Sequence, residues 1–148
     1  MNDSRTTPES ISEAKAAEIL YAAHEAWNRR DLAGLLQLFD DAMIYWSNVG
    51  GQHGGTVIEG KPAFLDFLDP LKDMEGLSVP HSLRFRDGTI SASVEFYLRD
   101  RPTGHSHSGT FRQVLSFRGG RILRMEEFHD AAALSSFMAL LGSESSAS

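Results

Sequence analysis

From Thr89 to Arg99 the chain alternates without a break. Ile90, Ala92, Val94, Phe96 and Leu98 fall on one side, and Ser91, Ser93, Glu95, Tyr97 and Arg99 on the other. Strand side chains point alternately to opposite faces, so this segment buries one face of a sheet and leaves the other polar. Asp87-Gly88, just before it, is a hairpin signal and joins it to a strand over Leu77 to Arg86. Pro80 in that partner cannot donate to a ladder, which places it at a sheet edge or a bulge. Gly119-Gly120 makes a second turn, between a strand over Gly109 to Arg118 and a last strand from Arg121. The second half of the chain therefore folds as an antiparallel sheet with one buried face.

The first half has helical spacing. Ser10-x-x-Glu13 is a capping-box pattern, after which Ala16, Leu20, Ala23 and Trp27 recur on one face up to Arg30. Asp31 suits the cap of a second, shorter helix with Leu32, Leu35, Leu36 and Phe39 as its stripe, ending near Asp40-Asp41. Met43 to Ser47 is a short strand. Asn48 to Gly60 is too glycine-rich for regular structure and reads as a mobile loop of the kind that forms a mouth. Lys61-Pro62 opens a third helix with Phe64, Leu65, Leu68 and Leu71 inward and a break at Pro70. After a polar loop from Asp100 to Ser108, Ala131 to Leu141 closes the chain as a helix that Gly142 stops. Residues 1–11 are a flexible lead-in and 142–148 a disordered tail, leaving a single α+β domain over 12–141 with helices on one face of a curved sheet.

Composition narrows the function classes. The 148 residues are 41% hydrophobic and 23% charged, with a net charge of -6 and no block of basic residues, so nucleic acid is not an expected partner. No apolar run reaches the ~20 residues of a membrane span, and no leader pattern stands at the start, so the expected address is the cytoplasm. Cysteine is absent, which removes disulfides, thiolate nucleophiles and Cys-ligated metals.

The last strand carries the ionisable residues of interest. Leu123, Met125, Glu127 and His129 share one face, and Ile122, Arg124, Glu126 and Phe128 the other. If the first set points inward, an acid and an imidazole enter an apolar interior where burial shifts both pKa values.

Several stretches together resemble a known family. They are Trp27-Asn28-Arg29-Arg30-Asp31 leading to Leu38-Phe39-Asp40-Asp41-Ala42, Ile58-Glu59-Gly60-Lys61 before the third helix, and Gly119-Gly120-Arg121-Ile122 before the last strand. In that order the chain resembles the SnoaL-like branch of the nuclear transport factor two-like superfamily, over about residues 12–140. The resemblance implies a cystatin-like cone, a curved antiparallel sheet wrapped around the long N-terminal helix and enclosing an apolar pocket. Members include polyketide cyclases, ketosteroid isomerases, dehydratases and epoxide hydrolases, as well as modules without chemistry, so fold alone does not settle function. Laid on the ketosteroid isomerase pattern, the general-base position falls on Trp46 and the oxyanion donors on Ala23 and Gln113. Tryptophan and alanine cannot transfer a proton, so that mechanism is disfavoured. The same register implies that Ile44, Trp46, Ala92, Val94, Phe96, Phe111, Gln113, Leu115, Met125, Glu127 and His129 face the pocket, with Tyr45 turned away.

The resulting expectation is a small apolar ligand bound by Ile44, Trp46, Val94, Phe96, Phe111, Gln113, Leu115 and Met125. Glu127 and His129 are then the catalytic pair of a cofactor-free isomerase, cyclase or hydratase. The competing reading is a binding or dimerisation module in which Glu127 merely pairs with His129 or His24. His53, in the glycine-rich loop, is a candidate lid residue or simply exposed. His105 and His107 alternate but lack a third ligand of fixed spacing, so no metal site is expected. Asp130 matches an acidic position common at the strand end in SnoaL-like proteins and is also an obvious N-cap for the last helix. The outer face, with Ser91, Ser93, Glu95, Tyr97, Arg99 and Arg112, is by analogy the seat of a homodimer.

Overall fold

The computed structural model of the chain describes residues 10–50 and 55–147, with 142–147 by backbone alone. Helix α1 (Glu13–Asn28) is capped by Ser12, whose hydroxyl accepts from the Lys15 amide at 3.1 Å, and not by Ser10 as the capping-box pattern suggested. Ile11, just before the cap, packs against the core and fixes where the chain enters the helix. The helix ends in a Schellman motif, with the Asp31 amide donating to Ala26 and the Arg30 amide to Trp27, both at 2.9 Å. Arg30 takes the left-handed position, φ 59°, that glycine usually fills. Its guanidinium lies 4.1 Å over the Trp27 ring and donates to the carbonyls of Trp27, Lys72 and Met74. Those contacts offset the backbone strain.

Asp31 caps α2 (Leu32–Gln37) through the Gly34 amide, as expected. Phe39 is not on that helix but opens β1 (Phe39–Ser47), because the Ile122 amide donates to the Leu38 carbonyl and draws the chain into the sheet. The expected loop contains β2 (Thr56–Glu59), whose β-branched Thr-Val-Ile run favours a strand despite the glycines around it. His53 lies outside the described residues, as does the lead-in up to residue 9. In α3 (Lys61–Leu68) Phe64 and Leu68 are buried, whereas Leu65 is exposed, and Pro70 ends the helix in a 3-10 turn over Asp69–Leu71.

Four long strands complete the sheet: β3 (Glu75–Arg86), β4 (Thr89–Arg99), β5 (Ser106–Arg118) and β6 (Arg121–Phe128). The order is β2-β1-β6-β5-β4-β3, curved and unclosed. Every neighbouring pair is antiparallel except β1 and β6, which run parallel, a mixture that the sequence did not announce. No hairpin joins those two strands, so no turn dictates their relative direction. Pro80 lies in an edge strand, and that strand is also bulged: its register slips between His81 and Arg84, with Ser82 at φ 55°.

A second bulge reverses an expectation. In the β5–β6 ladder Ser116 pairs with Arg124 but Phe117 with Ile122, so Leu123 is the extra residue. Ile122 and Met125 are therefore both buried on the concave side, and Leu123, expected inward, is only half-buried. Strand β1 differs as well. Met43, Tyr45 and Ser47 are buried while Ile44 and Trp46 face outward, the inverse of the pattern the family register implied. A one-residue shift in register exchanges the two faces of a strand.

The concave face packs on Ala16, Ile19, Leu20 and Ala23 of α1 and on Phe64 and Leu68 of α3. Fully buried Leu20, Phe39, Ile90, Leu115 and Ile122 each contribute about 1.5–3 kcal/mol. Helix α4 (Ala131–Ala147) continues through Gly142, where a stop and a disordered tail were expected. One glycine costs a helix only about 1 kcal/mol, and no proline follows it. Among the described residues, no helix is long and apolar enough to cross a membrane.

Candidate active site

Between α1, α3 and the concave sheet face lies a cavity of about 430 Å³. Its wall is mostly apolar and rich in rings, among them Trp27, Tyr45, Phe64, Phe67, Phe96 and Phe111. Phe96, Phe111, Gln113, Met125, Glu127 and His129 line it. Val94 and Leu115, expected as ligand contacts, are completely buried and do not line it, because the packing closes over the base of the cone. Ile44 and Trp46, expected as ligand contacts, likewise do not line it, since they stand on the outer face, where Trp46 packs on Phe128 at 5.1 Å.

Within this apolar wall runs one connected polar system. Glu127 Oε1 accepts from the Tyr45 hydroxyl at 2.8 Å and from His129 Nε2 at 3.1 Å, and its Oε2 accepts from the Gln113 amide at 3.0 Å. Burial is the largest influence on Glu127 and pushes its carboxyl pKa up. The hydrogen bond and charge of His129, with the bonds from Tyr45 and Gln113, together outweigh burial and hold it below its ordinary value. An ionised carboxylate only accepts, so Gln113 turns its amino group to Glu127 and its carbonyl to His24, 2.8 Å away. The His24 proton on that side is on Nε2. Burial pushes the His24 pKa down, and the neutral ring accepts at Nδ1 from the Ser78 hydroxyl at 2.6 Å. Asn28 locks Ser78 by accepting from its amide at 2.8 Å and donating to its carbonyl at 2.9 Å.

The same argument puts the His129 proton on Nε2, facing Glu127. Its Nδ1 is buried without a hydrogen-bond partner. The ring is stacked on Phe111 at 4.3 Å, with Phe96 edge-on at 6.0 Å. Asn48 fastens the backbone here: its side chain accepts from the His129 amide at 2.8 Å and donates to the His129 carbonyl at 3.0 Å. Its own amide donates to the Glu127 carbonyl at 3.2 Å.

Sequence reasoning turned Tyr45 away from the pocket and passed over Asn48 and Ser78. The alternation Met43, Tyr45, Ser47 was available to reveal Tyr45. Nothing local marks Asn48 or Ser78, whose partners are distant in sequence. Asp130 accepts from the Ala133 amide at 3.1 Å and caps α4. His107 packs between Phe96 and Phe137, and no group of three or more metal-ligating side chains occurs among the described residues.

The model of the SnoaL-like domain matches residues 20–125. Among curated proteins, none matches the sequence. Solved structures share the fold. TerC, co-crystallised with polyporic acid, superposes with a TM-score of 0.73 at 18% identity, covering 84% of this chain and 98% of that one. SalBIII, an epoxide hydrolase/cyclase-like enzyme of pyran ring formation in salinomycin, gives 0.72 at 16% identity over 82% and 95%. A Mycobacterium tuberculosis protein in complex with estradiol-17beta-hemisuccinate gives 0.71 at 14% identity over 80% and 96%. With the family model covering most of the chain and the sheet curved as a cone, this protein belongs to the SnoaL-like domain family.

Proposed function

We propose that the protein binds a small, largely apolar carbonyl or ring compound in the cavity and acts on it without a cofactor, as an isomerase, cyclase or hydratase. Glu127 and His129 carry the proton transfer. The observation behind this reading is the 3.1 Å acid–imidazole pair at the wall of an otherwise apolar, ring-lined cavity. The ionised Glu127 takes a proton from the substrate, the imidazole N–H beside it hydrogen-bonds the developing oxyanion, and the proton held by Glu127 is returned to the product at its new position. Similar folds crystallised with polyporic acid and with an estradiol derivative lend support to a ring compound as ligand.

A second reading, a binding module without chemistry, draws on the mutual satisfaction of Tyr45, Gln113, His129 and Glu127. Native mass spectrometry of the purified protein and whatever copurifies with it, repeated with Glu127→Gln and His129→Ala, identifies a substrate class for turnover assays. Loss of turnover with retained binding in both variants supports catalysis. Unchanged turnover removes it.

The assembly we infer is a homodimer through the outer sheet face. In support, Phe128 is exposed there between Trp46 and the Arg112 guanidinium, which lies 5.6 Å from its ring. Light scattering on the wild type and on Phe128→Glu tests it, with a monomeric wild type as the contrary result.

A further inference from the structure

Among the described residues that line the cavity, Glu127 is the one carboxylate and there is no lysine or arginine. His24 is held neutral by burial. Whether the proton shared by Glu127 and His129 makes that pair neutral or anionic, the wall offers a ligand no net positive charge. Glu127 also retains acceptor capacity. A carboxylate has about four acceptor positions, and Tyr45 and His129 occupy Oε1 while Gln113 alone bonds to Oε2. The Glu127 side chain is 14% exposed, on the cavity wall, so a ligand can reach it.

We propose that the cavity selects ligands by charge: it takes uncharged or cationic ring compounds bearing a hydrogen-bond donor for Glu127 Oε2, and rejects organic acids of equal size. This rests on the reading of the cavity as a ligand site. An acid brought beside Glu127 loses its water and meets a like charge with no lysine or arginine to compensate, in surroundings where charges interact more strongly than in water. An ammonium or hydroxyl meets an open acceptor, and an ammonium also meets ring faces that favour cations.

The test uses the full chain and three probes on one ring system: 2-naphthylmethanol, 2-naphthylmethylamine and 2-naphthoate, titrated by calorimetry at pH 7. The alcohol and the ammonium are expected to bind, with the naphthoate at least roughly tenfold weaker than the alcohol. In Glu127→Gln the three should converge to within about threefold. Naphthoate binding the wild type as tightly as the alcohol overturns charge selection while leaving the cavity a ligand site. Binding of none of the three overturns the ligand reading itself, and charge selection with it. If Glu127→Gln does not fold, the wild-type comparison remains decisive.

Discussion

The hydroxyl of Tyr45 reaches Glu127 Oε1 at 2.8 Å across the parallel junction between β1 and β6, so the two ends of the sheet's chain order meet at the candidate site. Burial first, and then the neighbouring carboxylate, push the Tyr45 pKa well above its ordinary value and keep it a donor. Tyr45→Phe should preserve the fold, cost about 1–3 kcal/mol in denaturant unfolding, and let the Glu127 carboxyl pKa rise. Carbon-detected NMR titration of that carboxyl checks this. An unmoved pKa would show that Tyr45 does not help hold the charge.

Acid should destabilise the protein in two stages. The folded His24 binds its proton less readily than the unfolded residue. Stability therefore falls as pH drops below the ordinary imidazole value of 6.5, where the unfolded chain takes up a proton first. Glu127, depressed in the fold, adds stability that is full above the ordinary 4.5 and lost as pH falls through its folded value. Unfolding midpoints measured from pH 8 to 3 should show both stages, with Glu127→Gln lacking the second.

Asn48 bridges the mouth of the cavity and the end of β6. Replacing it with alanine leaves the His129 amide and carbonyl without those partners, at a cost of about 1–3 kcal/mol. Hydrogen exchange at the His129 amide should quicken while exchange in β4 and β5 stays unchanged. Exchange no faster than in the wild type would show that the clamp is not needed.

Phe137 is the buried anchor of α4 and stacks on His107 at 5.5 Å. Phe137→Ala should release α4 as a local unit, since Phe137 is the one buried residue among 131–141. Amides of residues 131–141 should lose protection while the core amides keep theirs. Loss of protection throughout would show that the helix is integral to the domain.

The parts of this fold governed by local chemistry were legible in the sequence. The Thr89–Arg99 alternation, the Asp87-Gly88 turn, the Asp31 cap and the edge position of Pro80 each follow from a few adjacent residues. What escaped depends on partners far along the chain. The burial of Tyr45 is fixed by pairing with β6, the start of β1 at Phe39 by a bond from Ile122, and the parallel sense of that pair by no local signal at all. At the site, Phe96, Phe111, Gln113, Met125, Glu127 and His129 were readable, whereas Tyr97, assigned to the outer face, also lines the cavity and Val94 and Leu115 do not. The β1 face was not readable, because two alternations of equal hydrophobicity, Ile44/Trp46 and Met43/Tyr45, competed there.

The extra residue at Leu123 lies between the core-forming start of β6 and the end that brings Glu127 to the cavity. Strict alternation from the buried Ile122 would bring Arg124, Glu126 and Phe128 to the concave side. The insertion brings Met125, Glu127 and His129 there in their place. The chemical character of the cavity thus depends on a count of residues as much as on their kinds. Paired without that bulge, the same residues would present a guanidinium, a different acid and a phenyl ring in place of the acid and the imidazole, a far larger change than any single substitution in the wall could make.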